Sequence, residues 1–303
     1  MPTNDAKSVA YAPLAPAVFV TGKGGVGKTT VAAGLALAAA EAEGEAVYVE
    51  FGDAAAGRRV LRDRPVGLEH VTLDPAHAVV RAAEPVFGSA ALAKLALDNF
   101  ALRPVIRAAP AIRELGVLEL ARRVVAEHPG KRVVFDMPAT GHSVAWLKVA
   151  RQGRELFERG PLYEVCSRIE RELVSEGMAS IVVVTLPERL VLLETLGLCD
   201  TLEDEVGLRV DRLIVNRVPA APPPGILDEV VSLTDGEFAE AAKSFGDLLR
   251  IRDTVREQVM HALEDTVARQ PNGRDRPLTL LPLATKAPSG AVASAWLTDA
   301  GAT

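Results

Sequence analysis

Residues 21–30 of the chain are Thr21-Gly22-Lys23-Gly24-Gly25-Val26-Gly27-Lys28-Thr29-Thr30, which match the phosphate-loop pattern G-x-x-x-x-G-K-[ST]. Glycines at this spacing let backbone N–H groups approach a polyphosphate where a side chain would clash. Lys28 is placed to bring a positive charge to the β- and γ-phosphates, and the Thr29 hydroxyl to bind Mg²⁺. The stretch therefore predicts a phosphate site.

The flanks of this loop favour the same interpretation over a chance glycine-rich turn. Residues 16–20 predict a short buried strand, and residues 29–42, rich in Ala and Leu, predict a helix. A strand, a glycine loop and a helix N-terminus in succession form an anion-binding site.

Six further segments predict strands, and helical patterns separate them. The strand segments are 46–51, 71–73, 131–136, 180–185, 211–219 and 278–283. This alternation predicts an α/β fold, a doubly wound and mostly parallel sheet flanked by helices. We expect it to occupy residues 16–283, with a helical insertion at about 75–127.

The chain has 303 residues, of which 49% are hydrophobic and 4% aromatic, enough for one large α/β domain. Its net charge of −6 argues against nucleic acid as a partner. Its two cysteines, Cys166 and Cys199, fit neither a zinc pattern nor a disulfide framework, so we expect a reduced, cytoplasmic setting. Residues 1–15 predict a flexible leader and residues 284–303 a loosely structured tail; no segment predicts a membrane span.

Lys23 is a second lysine inside the loop, giving Gly-Lys-Gly-Gly-Val-Gly-Lys-Thr. This resembles the deviant phosphate loop of the family that contains the arsenite-pump ATPase ArsA, the tail-anchored-protein targeting ATPases, MinD, ParA and the nitrogenase iron protein. The resemblance implies ATP and Mg²⁺ as cofactors. It also implies that Lys23 reaches across a dimer to the partner's nucleotide, where an ammonium would offset developing charge. The alternative is a solvated loop lysine. The implied nucleotide-binding residues of the loop are Gly22, Lys23, Gly24, Gly25, Val26, Gly27, Lys28, Thr29 and Thr30.

A second motif follows the strand at 131–136 and reads Asp136-Met137-Pro138-Ala139-Thr140-Gly141-His142. It resembles the Asp-Thr-Ala-Pro-Thr-Gly-His segment of the arsenite-pump and targeting ATPases, and more closely the Asp-Gly-Pro-Ala-Thr-Gly-His form of their shorter bacterial relatives. A carboxylate at this strand end can hold Mg²⁺ through water, so Asp136 is predicted as a catalytic and metal residue beside Thr29. Gly141 can turn its N–H toward a γ-phosphate.

The segment after the second strand departs from the family pattern. Arsenite-pump-like members carry a Ser-Thr-Asp-Pro-Ala-His type of switch with a catalytic aspartate, whereas this chain has Glu50-Phe51-Gly52-Asp53. Asp53 matches that aspartate only with a shift of one residue. It is a candidate catalytic residue that orients water, and the alternative is a turn aspartate at a strand end. Glu50 is a second candidate for orienting the water.

Asn216 and Arg217 end the strand predicted at 211–219, where the family's Val-Asn pair contacts adenine. An Asn amide carries both a donor and an acceptor, which suits the adenine edge. The resemblance therefore implies that Asn216 and Arg217 bind the nucleotide, although a strand-end turn Asn is the alternative.

The resemblance implies an ATPase whose dimer closes with ATP, either a homodimer or a heterodimer with a paralogous chain, coupled to an unknown protein cargo or membrane partner. Three outputs stay open: an ion-pump subunit, a targeting factor, and a MinD/ParA-like positioning ATPase. Two distant cysteines argue against arsenite binding. The apolar helices of 75–127 are either a client-binding lobe or an ordinary helix pair packed on the sheet.

Overall fold

The structure is a computed structural model that describes residues 13–62, 66–87, 89–97, 110–221, 223, 225–232, 239–268 and 276–303. Most of the predicted leader therefore lies outside the described residues. Its last part belongs to the core, because Leu14 is buried and the Ala15 N–H donates a hydrogen bond to Ser180 Oγ at 2.9 Å.

In the described part of the chain, seven parallel strands form one sheet in the order β3-β2-β4-β1-β5-β6-β7. The strands are β1 (Ala17–Gly22), β2 (Ala46–Phe51), β3 (Leu68–Leu73), β4 (Arg132–Asp136), β5 (Ala179–Thr185), β6 (Val210–Val218) and β7 (Leu278–Pro282). The predicted parallel α/β sheet is confirmed. Every residue of β1 and of β5 is buried, as expected for central strands covered on both faces.

Helices connect the strands and cover the sheet. They are α1 (Lys28–Glu43), α2 (Ala55–Val60), α3 (Ala78–Phe87), α4 (Ala90–Leu97), α5 (Pro110–Glu127), α6 (Thr140–Leu156), α7 (Pro161–Glu172), α8 (Arg189–Thr201) with a π-helical turn (Leu202–Val206), α9 (Ile226–Ser232), α10 (Ala239–Ala268) and α11 (Gly290–Asp299). The segment predicted as a helical insertion thus contains α3, α4 and α5. No helix among the described residues has the length and apolarity needed to cross a membrane.

Alternate strand residues face two separate apolar cores, because successive side chains of a strand point to opposite faces. Phe19 and Phe135 stack at a centroid distance of 4.9 Å in the core beneath α5, α6, α7 and α8. Val18 and Val134 belong to the other core, beneath α1 and α11. Both faces are therefore covered, and the carboxyl ends of the strands are left to form a site.

The prediction of a loosely structured tail at 284–303 is wrong, because α11 lies there and packs against α1. Ser289 accepts the hydrogen bond of its N-cap from the Val292 N–H, and Leu297 is fully buried. A Cβ at Gly34 of α1 would lie 2.9 Å from the Cβ of Ala293, so the two helices approach as closely as glycine permits. Packing stabilises α11, and its sequence alone shows no amphipathic charge pattern that would have predicted it.

Candidate functional site

The phosphate loop joins the end of β1 to the start of α1, and its backbone is set by glycine. Gly22, Gly25 and Gly27 have φ values of 146°, 81° and 98°, in the region that side chains disfavour. A Cβ at Gly22 would lie 2.1 Å from the Val184 carbonyl oxygen. The backbone N–H groups of residues 24–28 donate no hydrogen bond to any other described residue, so the loop presents free donors to an anion.

Lys28 folds back over the loop that precedes it. Its Nζ donates a hydrogen bond to the Lys23 carbonyl oxygen at 2.8 Å. Burial lowers the pKa of Lys28, and the nearby charge of Asp136 opposes that shift. The ammonium is thus held at the centre of the loop, where an anionic ligand would favour its charged form.

Asp136 lies at the carboxyl end of β4, level with Val20 of β1 and with Glu50 of β2. Its Oδ2 accepts hydrogen bonds from Thr29 Oγ1 at 2.7 Å and from the Tyr48 hydroxyl at 3.2 Å. Burial raises the pKa of Asp136, and the charge of Glu50 adds to this effect. Burial, together with Asp136 and Glu50, also raises the pKa of Tyr48, which keeps that hydroxyl protonated as a donor.

The donor set at this point fits Mg²⁺. Thr29 Oγ1 and the Asp136 carboxylate are hard oxygen ligands, and the free N–H groups of the loop would hold phosphates beside them. Mg²⁺ commonly binds through one carboxylate, substrate phosphates and waters, and the described residues contain no group of three His, Cys, Asp or Glu that would form a full protein cage. Because partial burial makes the Asp136 carboxylate costly to ionise, a nearby cation would stabilise its charged form.

Asn216 and Arg217, at the end of β6, donate side-chain hydrogen bonds to backbone carbonyl groups of the phosphate loop. Asn216 Nδ2 donates to the Val26 carbonyl oxygen at 2.8 Å, and Arg217 donates to the Gly25 carbonyl oxygen at 3.0 Å. Asn216 Oδ1 accepts from the Arg217 N–H at 2.9 Å, which holds Arg217 at its unusual φ of 62°. A Cβ at Gly27 would lie 2.4 Å from Asn216 Nδ2, so glycine is required there. In this structure the Asn216 amide positions the loop, and its predicted contact with adenine stays a prediction.

Gly141 lies in the first turn of α6, directly after the Asp136 strand. Two residues later the buried Ser143 hydroxyl forms a 2.6 Å hydrogen bond with Thr21 at the end of β1. This contact ties the start of α6 to the start of the phosphate loop. The role of Gly141 toward a γ-phosphate remains a prediction.

Lys23 points away from its own loop toward α8. Its Nζ forms a salt bridge with Glu194, and both side chains are about half exposed, at 41% and 50%. An ion pair this exposed contributes little to stability. The Lys23 side chain therefore lies at the surface, and its salt bridge with Glu194 can break at little cost in free energy.

The segment after β2 contains the two carboxylates proposed to orient water. Asp53 is exposed, and its Oδ1 accepts a hydrogen bond from the Ala55 N–H at 3.0 Å, as in an aspartate turn at the start of α2. Glu50 is buried and accepts hydrogen bonds from the Gly57 N–H at 2.9 Å and from His70 at 2.7 Å. Glu50 thus fastens α2 to the sheet, and a catalytic role for Asp53 remains a prediction.

A cleft of about 430 Å³ opens beside the first turn of α1. Its walls are residues 29–30 of α1, residues 59–60 of α2 with Arg62 just beyond it, and the segment 287–289 that leads into α11. Ligand pockets commonly have volumes of roughly 300–1,000 Å³. Of the residues predicted to bind the nucleotide, Thr29 and Thr30 line this cleft.

The sequence predicts the loop, Asp136 and the β6 end as site residues, but it does not single out Tyr48 and Glu194, which contact Asp136 and Lys23 in the structure. Tyr48 lies in the middle of a strand that shows only β-branched and aromatic character, and its partner is 88 residues away. Glu194 lies on α8, whose sequence has no motif that predicts a site, and it is 171 residues from Lys23 along the chain. The order of the strands in the sheet brings Tyr48 next to Asp136 and Lys23 next to Glu194.

Comparison with known proteins agrees with this geometry. No curated protein matches the chain. The family described as the CobQ/CobB/MinD/ParA nucleotide binding domain matches residues 17–257, more than half of the sequence, and this range contains β1 to β6 and the phosphate loop. The chain belongs to the CobQ/CobB/MinD/ParA family of nucleotide-binding domains.

Proposed function

We propose that the protein is an ATP-hydrolysing switch of the ArsA-like branch, which closes as a dimer around ATP and Mg²⁺ and opens after hydrolysis. The observation that carries the proposal is the pair of lysines on one phosphate loop. Lys28 is held inside the loop, whereas Lys23 points outward and is half exposed. Two ammonium groups with such different surroundings suit two different tasks.

Within one subunit, the loop N–H groups and Lys28 would bind and neutralise the phosphates. Thr29 and Asp136 would hold Mg²⁺, whose chemistry is to neutralise charge on the β- and γ-phosphate oxygens. Tyr48 keeps one oxygen of Asp136 hydrogen-bonded, so this carboxylate has a fixed orientation. Each of these groups lies at the carboxyl end of the sheet or in β2 beside it.

Between subunits, Lys23 would exchange Glu194 for the γ-phosphate of the partner's ATP. The exposed salt bridge is worth about 0–1 kcal/mol, so leaving Glu194 costs little. A triphosphate offers a stronger charge, and the contact exists only while the γ-phosphate is present. Because Lys23 would contact the nucleotide only before hydrolysis, this contact would favour the closed dimer with ATP bound and the open state afterwards.

A MinD/ParA-like positioning ATPase, which acts on a scaffold or membrane partner, is the second candidate. The matching family description names MinD and ParA, and the segment after β2 lacks the switch motif of arsenite-pump relatives. An arsenite-pump output has less support, because Cys166 and Cys199 are buried on separate helices and burial raises the pKa of the Cys199 thiol to about 12. A targeting output would use the exposed Leu92 and Leu95 of α4, next to residues 98–109, which lie outside the described residues.

ATP hydrolysis and the oligomeric state test the proposal together. Wild-type protein should hydrolyse ATP in the presence of Mg²⁺, and it should sediment as a dimer with a slowly hydrolysed ATP analogue and as a monomer without nucleotide. Lys28→Ala should lose nucleotide binding. Lys23→Ala should keep binding but lower kcat by about 10³-fold, the range of a charge supplied in trans.

Lys148→Ala is the matched control, because Lys148 forms a salt bridge with Glu205 that is also partly exposed, on α6. This variant should retain the wild-type rate and the ATP-dependent dimer. Normal hydrolysis and dimerisation in Lys23→Ala would overturn the dimer mechanism. Stimulation by lipid vesicles or by a scaffold protein, with none by a tail-helix peptide or arsenite, would favour the second candidate.

A further inference from the structure

Glu50 is a buried carboxylate beside the proposed Mg²⁺ site, and the proposed function assigns it no task. The residue is 5% exposed, and it lies in register with Asp136 on the neighbouring parallel strand β4. Paired residues of neighbouring strands point to the same face of a sheet, and the strands are about 5 Å apart. Two carboxylates therefore lie side by side at the carboxyl ends of β2 and β4, on the face where Thr29 contacts Asp136.

Hydrogen bonds hold the Glu50 carboxylate in one orientation, because its two oxygens are bonded to two different elements. Oε2 accepts a hydrogen bond from the Gly57 N–H of α2 at 2.9 Å, and Oε1 is bonded to His70 Nε2 of β3 at 2.7 Å. A Cβ at Gly57 would lie 2.6 Å from Glu50 Oε1, so α2 packs directly on the carboxylate. Glu50 is thus committed to α2 and β3 rather than to a metal ion, and its charge acts on the site through space.

The charge of Glu50 has opposite effects on Asp136 and on a cation. Burial raises the pKa of Asp136, and the charge of Glu50 raises it further, whereas the charge of Lys28 lowers it. The two carboxylates thus repel each other, and the same negative charge attracts a divalent ion held by Thr29 and Asp136. A cation at this point would relieve the repulsion, so part of the free energy of binding it comes from Glu50.

We propose that Glu50 is a positioning residue that acts through Asp136: its buried charge strengthens the binding of Mg²⁺ there and opposes phosphates that arrive without the metal. This inference rests on the proposed binding of nucleotide with Mg²⁺ and gives Glu50 a task in it. The site would therefore favour a nucleotide that carries Mg²⁺ over a metal-free one. Gly57 and His70 contribute by holding the carboxylate in place.

Glu50→Gln tests this role, because the amide removes the charge but keeps an acceptor for the Gly57 N–H and a group that can bond to His70. Calorimetric titration of Mg²⁺ into the full chain saturated with ADP should show a Mg²⁺ affinity about 10-fold lower than in wild type. This is the effect of one unit charge on a divalent ion about 6 Å away in a water-like dielectric. Metal-free ADP, measured with EDTA, should instead bind about two- to threefold more tightly, because a charge that repels phosphates is gone.

Glu69→Gln is the matched control, because Glu69 is also paired with a histidine, His128, at 3.0 Å. It lies in register with Val47 near the start of β2, away from the site, so both affinities should stay within about twofold of wild type. Equal Mg²⁺ affinity in wild type and Glu50→Gln would overturn the inference, and so would equal losses for Mg²⁺ and metal-free ADP, which indicate a disturbed fold. Wild-type protein that binds neither ADP nor Mg²⁺ would instead overturn the proposed function, so the two failures are distinguishable.

Discussion

Asn216 offers the sharpest test of how the phosphate loop is held. The change Asn216→Ala removes the 2.8 Å hydrogen bond to the Val26 carbonyl oxygen and the 2.9 Å hydrogen bond from the Arg217 N–H. Each is worth about 1 kcal/mol net, and the polar groups left unpaired at this buried position add to the loss. We expect a free energy of unfolding lower by about 2–4 kcal/mol and, for a chain of 303 residues, a Tm lower by roughly 3–6 °C.

Two assays separate the positioning role of Asn216 from contact with adenine. Urea and thermal unfolding without ligand give the stability, and calorimetry gives the affinity for ATP and for tripolyphosphate. If the amide positions the loop, both ligands should weaken by the same factor. The control Gln152→Ala, an exposed amide on α6, should change neither quantity.

A stability loss below about 0.5 kcal/mol, the range of ordinary surface substitutions, would show that the Asn216 amide does not hold the phosphate loop. A loss of affinity confined to ATP would show that Asn216 reads the base edge, as its resemblance to the family implies. The two results concern different atoms of the same side chain, so one experiment decides between them.

The remaining predictions concern backbone geometry and charge. Gly27→Ala should lower the unfolding free energy by at least about 1–2 kcal/mol, because φ is 98° and the added Cβ meets Asn216 Nδ2. Gly24→Ala, where an added Cβ meets no atom within 4 Å, should leave it nearly unchanged in thermal unfolding without ligand. Burial raises the pKa of Asp136, so the folded chain binds more protons than the unfolded chain between the ordinary and the raised pKa, and stability falls as pH rises through that window. Asp136→Asn should therefore be more stable than wild type at neutral pH without metal in urea unfolding, and the difference should shrink near pH 4; equal stability at both pH values would contradict it.

Local sequence signals were sufficient for most of the fold. β2 is predicted at 46–51 and observed at the same residues, because a β-branched and aromatic run between turns has few alternatives. The phosphate loop is similarly local, since its conformation depends on glycines within one short segment. These features need no knowledge of distant contacts.

What the sequence did not predict depends on partners far along the chain. α11 is stabilised by packing on Gly34, about 260 residues earlier, and Lys23 meets Glu194 only because β1 and β5 are neighbours in the sheet. Glu50 was a candidate for orienting water, yet its carboxylate is used by Gly57 and His70. Burial of such polar groups is decided by tertiary structure, so a single sequence does not reveal it.

The proposed dimer mechanism requires that Lys23 act on the nucleotide of a second subunit. The most informative measurement is the ATPase rate of a mixture of two variants. Lys23→Ala protein can still bind ATP but has no Lys23 to offer its partner. Lys28→Ala protein offers Lys23 but cannot bind ATP. If Lys23 acts in trans, ATP hydrolysis by the mixture should rise well above the sum of the two separate rates. A rate equal to that sum, while wild-type protein remains active, would contradict it.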